Sequence, residues 1–340
     1  MLGVSGKPSR LPEKKMKSSS KFLLDVYKFL KDDDGNENRI RKRSVLTLSA
    51  DILDKVHTSD IIVSLNNVQR KSKGKYEKLV FSLKNFPEAK ALIGAELRLY
   101  QAANAKTYRS HSMYQISVYK PFETIMGPIK LKKVAEKITA SEYVGWISID
   151  ISYLFRLWLK TKRSLEEIYI SAFPYGLSES EALHSSLIGL VLNSDTSENQ
   201  PFIVSFLQNN NTVNLRLPRH ILTTKNYDLT DILSGMGGIC EVYPYKVSFK
   251  ELMWHDWIIA PAGFTTSFCE GRCKFPLKWP IQATNHAIMQ SLIRLKMPGT
   301  FPEPRCAPTH LDPLTILYRE GENTILKKYN DMLVSGCSCQ

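Results

Sequence analysis

The cysteines constrain this chain most, because all six lie in its last 101 residues. They are Cys240, Cys269, Cys273, Cys306, Cys337 and Cys339. An even number of cysteines in one compact region is typical of a disulfide framework that forms in an oxidising compartment. A chain of 340 residues is also long for a single domain. We therefore predict a secreted protein in two parts, of which only the second depends on disulfides.

Positive charge is concentrated in the first part. Residues 220–340 carry 12 Lys and Arg against 11 Asp and Glu. The whole chain has 46 Lys and Arg and 33 Asp and Glu. Residues 1–219 therefore carry 34 basic against 22 acidic residues, a net charge of +12. A solvated basic surface is the simplest interpretation, and a heparan-type or other acidic matrix partner is the alternative. Nucleic acid is not expected, because the basic residues are scattered and no reading motif accompanies them.

The sequence contains neither a signal peptide nor a membrane span. Its first twenty residues include no apolar run of 7 to 15 residues. Since secretion requires such a segment, we expect a further stretch of chain before Met1. No later stretch of about 18 apolar residues occurs, so a membrane span is not expected.

The first part, residues 1–219, is expected to be α+β. Leu23, Val26 and Leu30 recur at helical spacing, which predicts an amphipathic helix over about residues 20–30 whose apolar stripe needs a groove. Over residues 60–207, runs such as DIIVSL, KLVFSL and YQISVY alternate apolar with polar residues between turns. This pattern predicts mostly antiparallel β structure. Residues 208–239 are polar and are predicted to form a linker.

Basic and acceptor motifs mark candidate processing sites. Asn210 begins an Asn-x-Thr acceptor for N-glycosylation. Arg216 and Arg219 occupy the first and fourth places of RLPR, the minimal pattern for furin-type convertases, so cleavage after Arg219 would release residues 220–340. A second basic cluster, RIRKR, ends at Arg43, where a secondary processing site and a solubilising turn remain equally plausible.

The second part, residues 240–340, is predicted to be two β-hairpins and one helix. Alternating strands are predicted over residues 242–249, 257–269, 307–318 and 324–339. A helix over 285–295 carries an apolar stripe of Ala287, Ile288, Leu292 and Leu295 that is available to a partner. Such thin elements cannot enclose much core, so disulfides and a second subunit must supply stability. Six cysteines allow 15 pairings, and the residues alone do not choose among them.

The motifs of the second part resemble a known family. WHDWIIAPAGF, FCEGRCKFPL, ATNHAIMQSL, CAPTHL, ILKKY and CSC occur between residues 240 and 339 in the order of the mature domain of the transforming growth factor beta superfamily, bone morphogenetic protein branch. KFLLDVYKFL, AELRLYQ, GWISIDIS and QPFIVSF are more loosely similar to the pro-region of insect ligands of that branch. The resemblance implies a pro-region followed by a cystine-knot growth factor domain.

The resemblance also implies the disulfide pairing. It predicts the bridges Cys240–Cys306, Cys269–Cys337 and Cys273–Cys339. The last two would close a ring of eight residues, 269–273 and 337–339, through which the first bridge passes. Crowding inside that ring gives Gly271 a physical reason to lack a side chain.

The function that the resemblance implies is that of a secreted ligand. Cleaved near Arg219, it would dimerise, bind type I and type II serine/threonine kinase receptors, and activate SMAD signalling. Its own pro-region and extracellular antagonists are the other expected partners, and neither a cofactor nor an enzymatic activity is expected. A type I set is carried over to Trp254, Trp257, Phe275, Pro276, Leu277 and Ile288. A type II set is carried over to Ala260, Leu311, Leu317 and Leu326.

Three of those positions also have a plainer interpretation. Trp257, Leu317 and Leu326 suit ordinary β core as well.

The chain departs from the family pattern in places. Arg305 replaces the cysteine that links the two subunits in most members, so we expect a non-covalent homodimer or a heterodimer. Two such arginines near a two-fold axis would repel by about 1 kcal/mol in solvent. Gln282 replaces a frequently glycosylated Asn, and the hairpin tip that begins at Arg319 is one residue shorter.

Three other functions are alternatives to the ligand. A zinc site could use Cys269, Cys273, Cys337 and Cys339 with His286 or His310, but the chain lacks paired Cys-x-x-Cys knuckles. An enzyme is disfavoured, because no nucleophile-base motif or phosphate-binding glycine loop is present. A secreted antagonist of the same pathway is the more serious rival, since a ligand without its intersubunit cysteine can occupy receptors without assembling a signalling complex.

Overall fold

The computed structural model describes residues 16–33, 49–68, 76–103, 112–122, 130–192, 199–209, 238–277 and 283–340. The chain divides into two compact units. The first consists of residues 1–215 together with 317–327, and the second of residues 216–316 together with 328–340. Among the described residues, no helix is both long enough and apolar enough to cross a membrane.

The described part of the chain contains four α-helices and fourteen strands. The helices are α1 (Ser18–Asp33), α2 (Ala50–Thr58), α3 (Ser152–Thr161) and α4 (Asn285–Lys296). The strands that precede residue 210 are β1 (Ile61–Asn66), β2 (Glu77–Ser82), β3 (Ala91–Gln101), β4 (Met113–Phe122), β5 (Lys130–Ala140), β6 (Gly145–Asp150), β7 (Leu165–Pro174), β8 (Leu190–Val191) and β9 (Phe202–Gln208). The later strands are β10 (Glu241–Ser248), β11 (Ile258–Ala260), β12 (Gly263–Glu270), β13 (Cys306–Glu320) and β14 (Asn323–Cys339).

The first unit contains two antiparallel sheets. In one, β1, β9, β3 and β6 lie side by side, β8 pairs with β3, and the start of β14 pairs with the free edge of β1. In the other, the order is β2, β7, β4, β5, which leaves β5 at an edge. Because the strands of each sheet run antiparallel, the predicted β-rich pro-region is confirmed.

Helix α1 confirms the predicted amphipathic helix and begins at Ser18. Its stripe of Leu23, Val26 and Leu30 is buried, as a helix with one apolar face requires. The ring of Phe22 lies 5.6 Å from that of Phe202 on β9. The helix therefore covers the sheet that contains β9.

Two further helices were missed by the sequence prediction. Residues 152–161 lie within the segment 60–207, whose pattern predicts mostly β structure, but there α3 follows β6, with Leu154, Phe155 and Trp158 buried at helical spacing. Helix α2 was overlooked because its nine residues bury only Ile52 and Val56. Each helix contributes too short an apolar stripe to be recognised beside strong β-branched runs.

A buried charge network ties α2 to the first sheet. Glu96 on β3 is nearly inaccessible, and its carboxylate accepts hydrogen bonds from Lys55 at 2.9 Å, Arg98 at 2.8 Å and the Ser148 hydroxyl at 2.6 Å. The Arg98 guanidinium also lies 5.0 Å from the ring centre of Phe22. Burial by itself would raise the pKa of Glu96, but Arg98, Ser148 and Lys55 together lower it below its ordinary value.

The second unit has little core of its own. Strands β10 and β12 pair antiparallel over their whole length, from Glu241 opposite Glu270 to Ser248 opposite Gly263. Their burial patterns contain one fully buried residue, Ser267. Helix α4 buries only Ala287 and Ser291. The second unit therefore relies on something other than apolar burial for its stability.

Removing the charge of Glu96 should destabilise the first unit. Glu96→Gln leaves Arg98 buried without its counter-charge, which we expect to lower the free energy of unfolding by about 3 kcal/mol. The measurement is denaturant unfolding of the precursor at neutral pH, with the exposed Glu88→Gln as control. The wild-type advantage should be complete above the unfolded pKa and disappear as pH falls through the lower folded pKa of Glu96. Equal stability of the two variants would contradict this account.

Candidate functional site

The second unit is tied by three disulfides at one end of its hairpins. They join Cys240 to Cys306, Cys269 to Cys337, and Cys273 to Cys339, with Cα atoms 5.4, 5.7 and 5.7 Å apart. These are the pairings that the family resemblance implies. The sulfur atoms of Cys240, Cys273 and Cys339 lie within 4.8 Å of one another in a buried cluster. No cysteine is free, so in this form no thiolate is left to bind zinc.

Gly271 is required at the centre of this cluster. Its φ is +118°, a conformation that side chains disfavour, and a Cβ atom there would lie 2.2 Å from the carbonyl oxygen of Ile239. The backbone that leads into Cys240 therefore passes directly over the glycine. Crowding at Gly271 thus comes from the neighbouring backbone, which the sequence did not identify.

Helix α4 packs on the disulfides by one residue and leaves a broad apolar face uncovered. Thr284 caps its start by accepting a hydrogen bond from the backbone of Ala287 at 3.2 Å, and Ala287 is buried against the disulfide cluster. Met289, Leu292 and Leu295 are 58%, 42% and 59% exposed. Of the predicted stripe, Ala287 therefore packs against the disulfides, while Leu292 and Leu295 are exposed to solvent.

The type I set divides between two places in the second unit. Trp254 and Trp257 lie in the turn between β10 and β11, with ring centres 5.9 Å apart, and Trp254 stacks on Phe249. Trp257 is buried, whereas Trp254 keeps part of its surface accessible. The remaining members belong to α4 and the segment before it. Of these, Phe275 and Pro276 are exposed, Leu277 packs against the disulfide cluster, and Ile288 is half-buried.

The type II set divides between the two units. Ala260 is nearly buried and Leu311 is 42% exposed. Leu317 and Leu326 belong to the first unit and are completely buried. There, Leu326 of β14 lies opposite Ile62 of β1 in an antiparallel ladder that runs from Ile61 opposite Lys327 to Ser64 opposite Thr324. Their burial agrees with the alternative interpretation of both leucines as ordinary β core.

Polar contacts reinforce this ladder. The hydroxyl groups of Ser20 on α1 and Thr324 on β14 lie 2.7 Å apart in a buried environment. Asn66 at the end of β1 donates a hydrogen bond to the carbonyl oxygen of Glu322, whose carboxylate pairs with Lys17. The tip of the hairpin formed by β13 and β14 therefore contacts both α1 and β1.

The sequence prediction did not identify this pairing, although a signal was present. All six residues of β1 are buried on both faces. A strand with apolar residues on both faces is typical of the interior of a sheet, which requires a neighbour on each side. Strand β9 is one neighbour, and nothing in the residue pattern identifies the start of β14 as the other.

Arg305 is exposed beside the disulfide cluster. Its backbone exchanges two hydrogen bonds with the backbone of Gln340, at 2.8 and 2.9 Å. The backbones of Arg305 and Arg272 also pair in an isolated antiparallel β-bridge. The side chain therefore projects from an ordered backbone next to Cys306.

Several predicted positions lie outside the described residues. They are the basic cluster ending at Arg43, the glycosylation acceptor Asn210, the linker arginines Arg216 and Arg219, and Gln282. Nothing in the structure bears on them, so they remain predictions.

Comparison with known proteins gave matches along both parts of the chain. Residues 1–206 match the model of the TGF-beta propeptide, and residues 239–339 match that of the transforming growth factor beta like domain. Protein 60A of Drosophila melanogaster is 31% identical over 385 residues, covering 99% of this chain and 84% of that protein. Protein screw of the same species is 30% identical (100% and 89% covered), and bone morphogenetic protein 8A of Homo sapiens is 26% identical (100% and 87%).

Substituting Gly271 should prevent the disulfide cluster from forming. In Gly271→Ala the added methyl group collides with the backbone at Ile239, so we expect loss of the native bridges and retention of the protein inside the cell. Gly299→Ala is the matched control, because its φ of +88° is also positive but a Cβ there meets nothing within 4 Å. The amount of secreted protein, with peptide mapping of both the secreted and the cell-retained material, would measure both. Native bridges in Gly271→Ala would refute the close approach.

Proposed function

Because this chain belongs to the transforming growth factor beta family, as a ligand precursor of its bone morphogenetic protein branch, we propose that residues 220–340 become a receptor ligand after cleavage behind Arg219. Members of this family are secreted growth factors and not enzymes. The observation that carries the proposal is the disulfide knot, since it presents two hairpins and α4 without a core of their own.

Cleavage in the linker is supported by position and by chemistry. The match to the propeptide model ends at residue 206, and the match to the ligand domain begins at 239. The motif formed by Arg216 and Arg219 lies between these two limits. Cleavage there would leave both matched regions whole.

A dimer is supported by the uncovered face of α4. Met289, Leu292 and Leu295 would expose large apolar surface in an isolated subunit, and such patches mark interfaces. The occupant that we propose is the hairpin surface of a second ligand subunit. Dimerisation would also bring the two parts of the type I set together, with Trp254 from one subunit near Phe275 and Ile288 from its partner.

The dimer is proposed to be non-covalent or to form with a different ligand of the branch. Arg305 occupies the position of the linking cysteine and carries an exposed cation. Two copies near a two-fold axis repel each other by about 1 kcal/mol in solvent. A partner with an uncharged residue there would relieve that repulsion.

Binding of a type II receptor is proposed to require release of the pro-region. Leu317 and Leu326 are buried in the unit that also contains α1 and β1. Apolar anchors contribute most of the binding energy in protein interfaces, so a receptor cannot use them while β1 is paired with β14. We propose that the bound ligand then activates SMAD signalling through type I and type II serine/threonine kinase receptors.

An antagonist of the same pathway is the second candidate, and Arg305 is the observation that favours it. A ligand that dimerises weakly engages receptors one at a time. It would occupy the receptor site without bringing two receptor types together. Signalling by the processed protein separates the two candidates.

Restoring a cysteine at position 305 should convert the dimer to a covalent one. We expect the processed wild type to migrate as a monomer on a non-reducing gel while its native mass in solution is that of a dimer. Arg305→Cys should migrate as a dimer, because in the proposed dimer the two copies of position 305 lie near the two-fold axis, each on an ordered backbone beside Cys306. Lys246→Cys, an exposed position on β10, should remain monomeric on the gel. A disulfide-linked wild-type homodimer would contradict the proposal.

Weakening the hold of α1 on the last hairpin should increase signalling. Ser20→Asp places a charge in the buried contact with Thr324, which we expect to release the pro-region at least about tenfold more readily. Cleaved complex carrying this variant should activate a receptor-dependent SMAD reporter at lower concentration than wild type. Ser164→Asp, on an exposed turn of the same unit, is the control.

The same assay distinguishes agonist from antagonist. A processed ligand that binds the receptors, leaves the reporter silent and suppresses a second ligand would establish antagonism. Equal potency of wild type and Ser20→Asp would show that the pairing of β14 with β1 does not restrict receptor access.

A further inference from the structure

The second sheet of the first unit carries a concentration of positive charge at one end. Strand β4 places Lys120 directly opposite Lys132 of β5, and two residues further along Phe122 lies opposite Lys130. Alternation along a strand puts these four side chains on the same face. Arg163, which follows α3, lines the same open cleft as Lys120 and Phe122, with a volume of ≈ 520 Å³.

These cations have no acidic partner in the described part of the chain. Lys130, Lys132 and Arg163 are exposed and Lys120 is half-buried, and none of the four makes an ion pair with a described residue. The acidic residues of the cleft are already engaged. Glu167 pairs with Lys78, and Glu166 accepts a hydrogen bond from Thr161 at 3.0 Å.

Protection of the sheet edge explains only part of this arrangement. Lysines on an edge strand such as β5 prevent unwanted pairing with other chains. That role does not require Lys120, because β4 lies inside the sheet, nor Arg163, which lies on a loop. Like charges directly opposite each other also weaken a sheet. The Lys120–Lys132 pair therefore carries an energetic cost that edge protection does not justify.

We propose that Lys120, Lys130, Lys132 and Arg163, here called the basic patch, bind a linear sulfated polysaccharide. Sulfate groups placed between Lys120 and Lys132 would turn their repulsion into attraction to a shared anion. Phe122 is 58% exposed among these cations and offers an aromatic face to a sugar ring. An extended polyanion suits charges that continue along two strands better than a small anion does.

Such binding would tether the secreted precursor to the extracellular matrix through its pro-region. None of the residues of the basic patch belongs to the type I or the type II set. The net charge of +12 in residues 1–219 would favour the encounter with any polyanion, and the basic patch would supply the localised site.

The test compares two variants of the full precursor with identical changes in charge. The patch variant carries Lys120→Glu, Lys130→Glu and Lys132→Glu, which keeps like charges opposite each other across the two strands and keeps the edge charged. The control variant carries Lys31→Glu, Lys90→Glu and Arg156→Glu at dispersed exposed positions. If the patch variant is not secreted, the Lys130→Glu, Lys132→Glu double variant tests the exposed edge alone.

Binding to immobilised heparin at physiological salt is the measurement, with chemically desulfated heparin as the second probe. We expect the patch variant to bind heparin at least about tenfold more weakly and with a shallower salt dependence, and the control to stay within about twofold of wild type. Equal losses in both variants would mean diffuse charge attraction and would overturn the proposal. So would unchanged binding by the patch variant, or equal affinity of wild type for the desulfated probe.

Discussion

Crossed disulfides take the place of a hydrophobic core in the second unit. The bridge from Cys240 to Cys306 alone closes a loop large enough to stabilise the fold by about 4 kcal/mol in the chain-entropy model. Strands β10 and β12 bury one residue between them, and α4 contributes only Ala287 to the cluster. Apolar surface that a larger domain would hide is therefore left for other chains to cover.

The first unit is stabilised in the opposite way. Its described residues form two sheets and three α-helices around an apolar core, and a buried charge cluster centred on Glu96 is satisfied by hydrogen bonds from three neighbours. Its first sheet ends at β1, whose residues are buried on both faces. The start of β14 pairs with that edge. The last hairpin thereby gains a packing partner, and the sheet gains a neighbour for its otherwise unprotected edge.

Sequence patterns predicted well those elements whose local signal is strong. The stripe containing Leu23 and Val26 predicted α1, and the cysteine spacing with its flanking motifs predicted the knot through family resemblance. Helices α2 and α3 were not predicted, because their short apolar stripes lie among β-branched runs. The type II set was placed by analogy, and the alternative interpretation of Leu317 and Leu326 as ordinary β core agrees with their burial in the precursor.

By itself, the sequence determined that the chain has two parts and that the second contains all six cysteines. These are local properties of residue type and spacing. Only the tertiary structure decided that β14 pairs with β1, that the Ile239 backbone excludes a side chain at Gly271, and that the basic patch gathers on two strands. Each of those depends on segments far apart in the chain, and a linear pattern does not encode which of many compatible partners will meet.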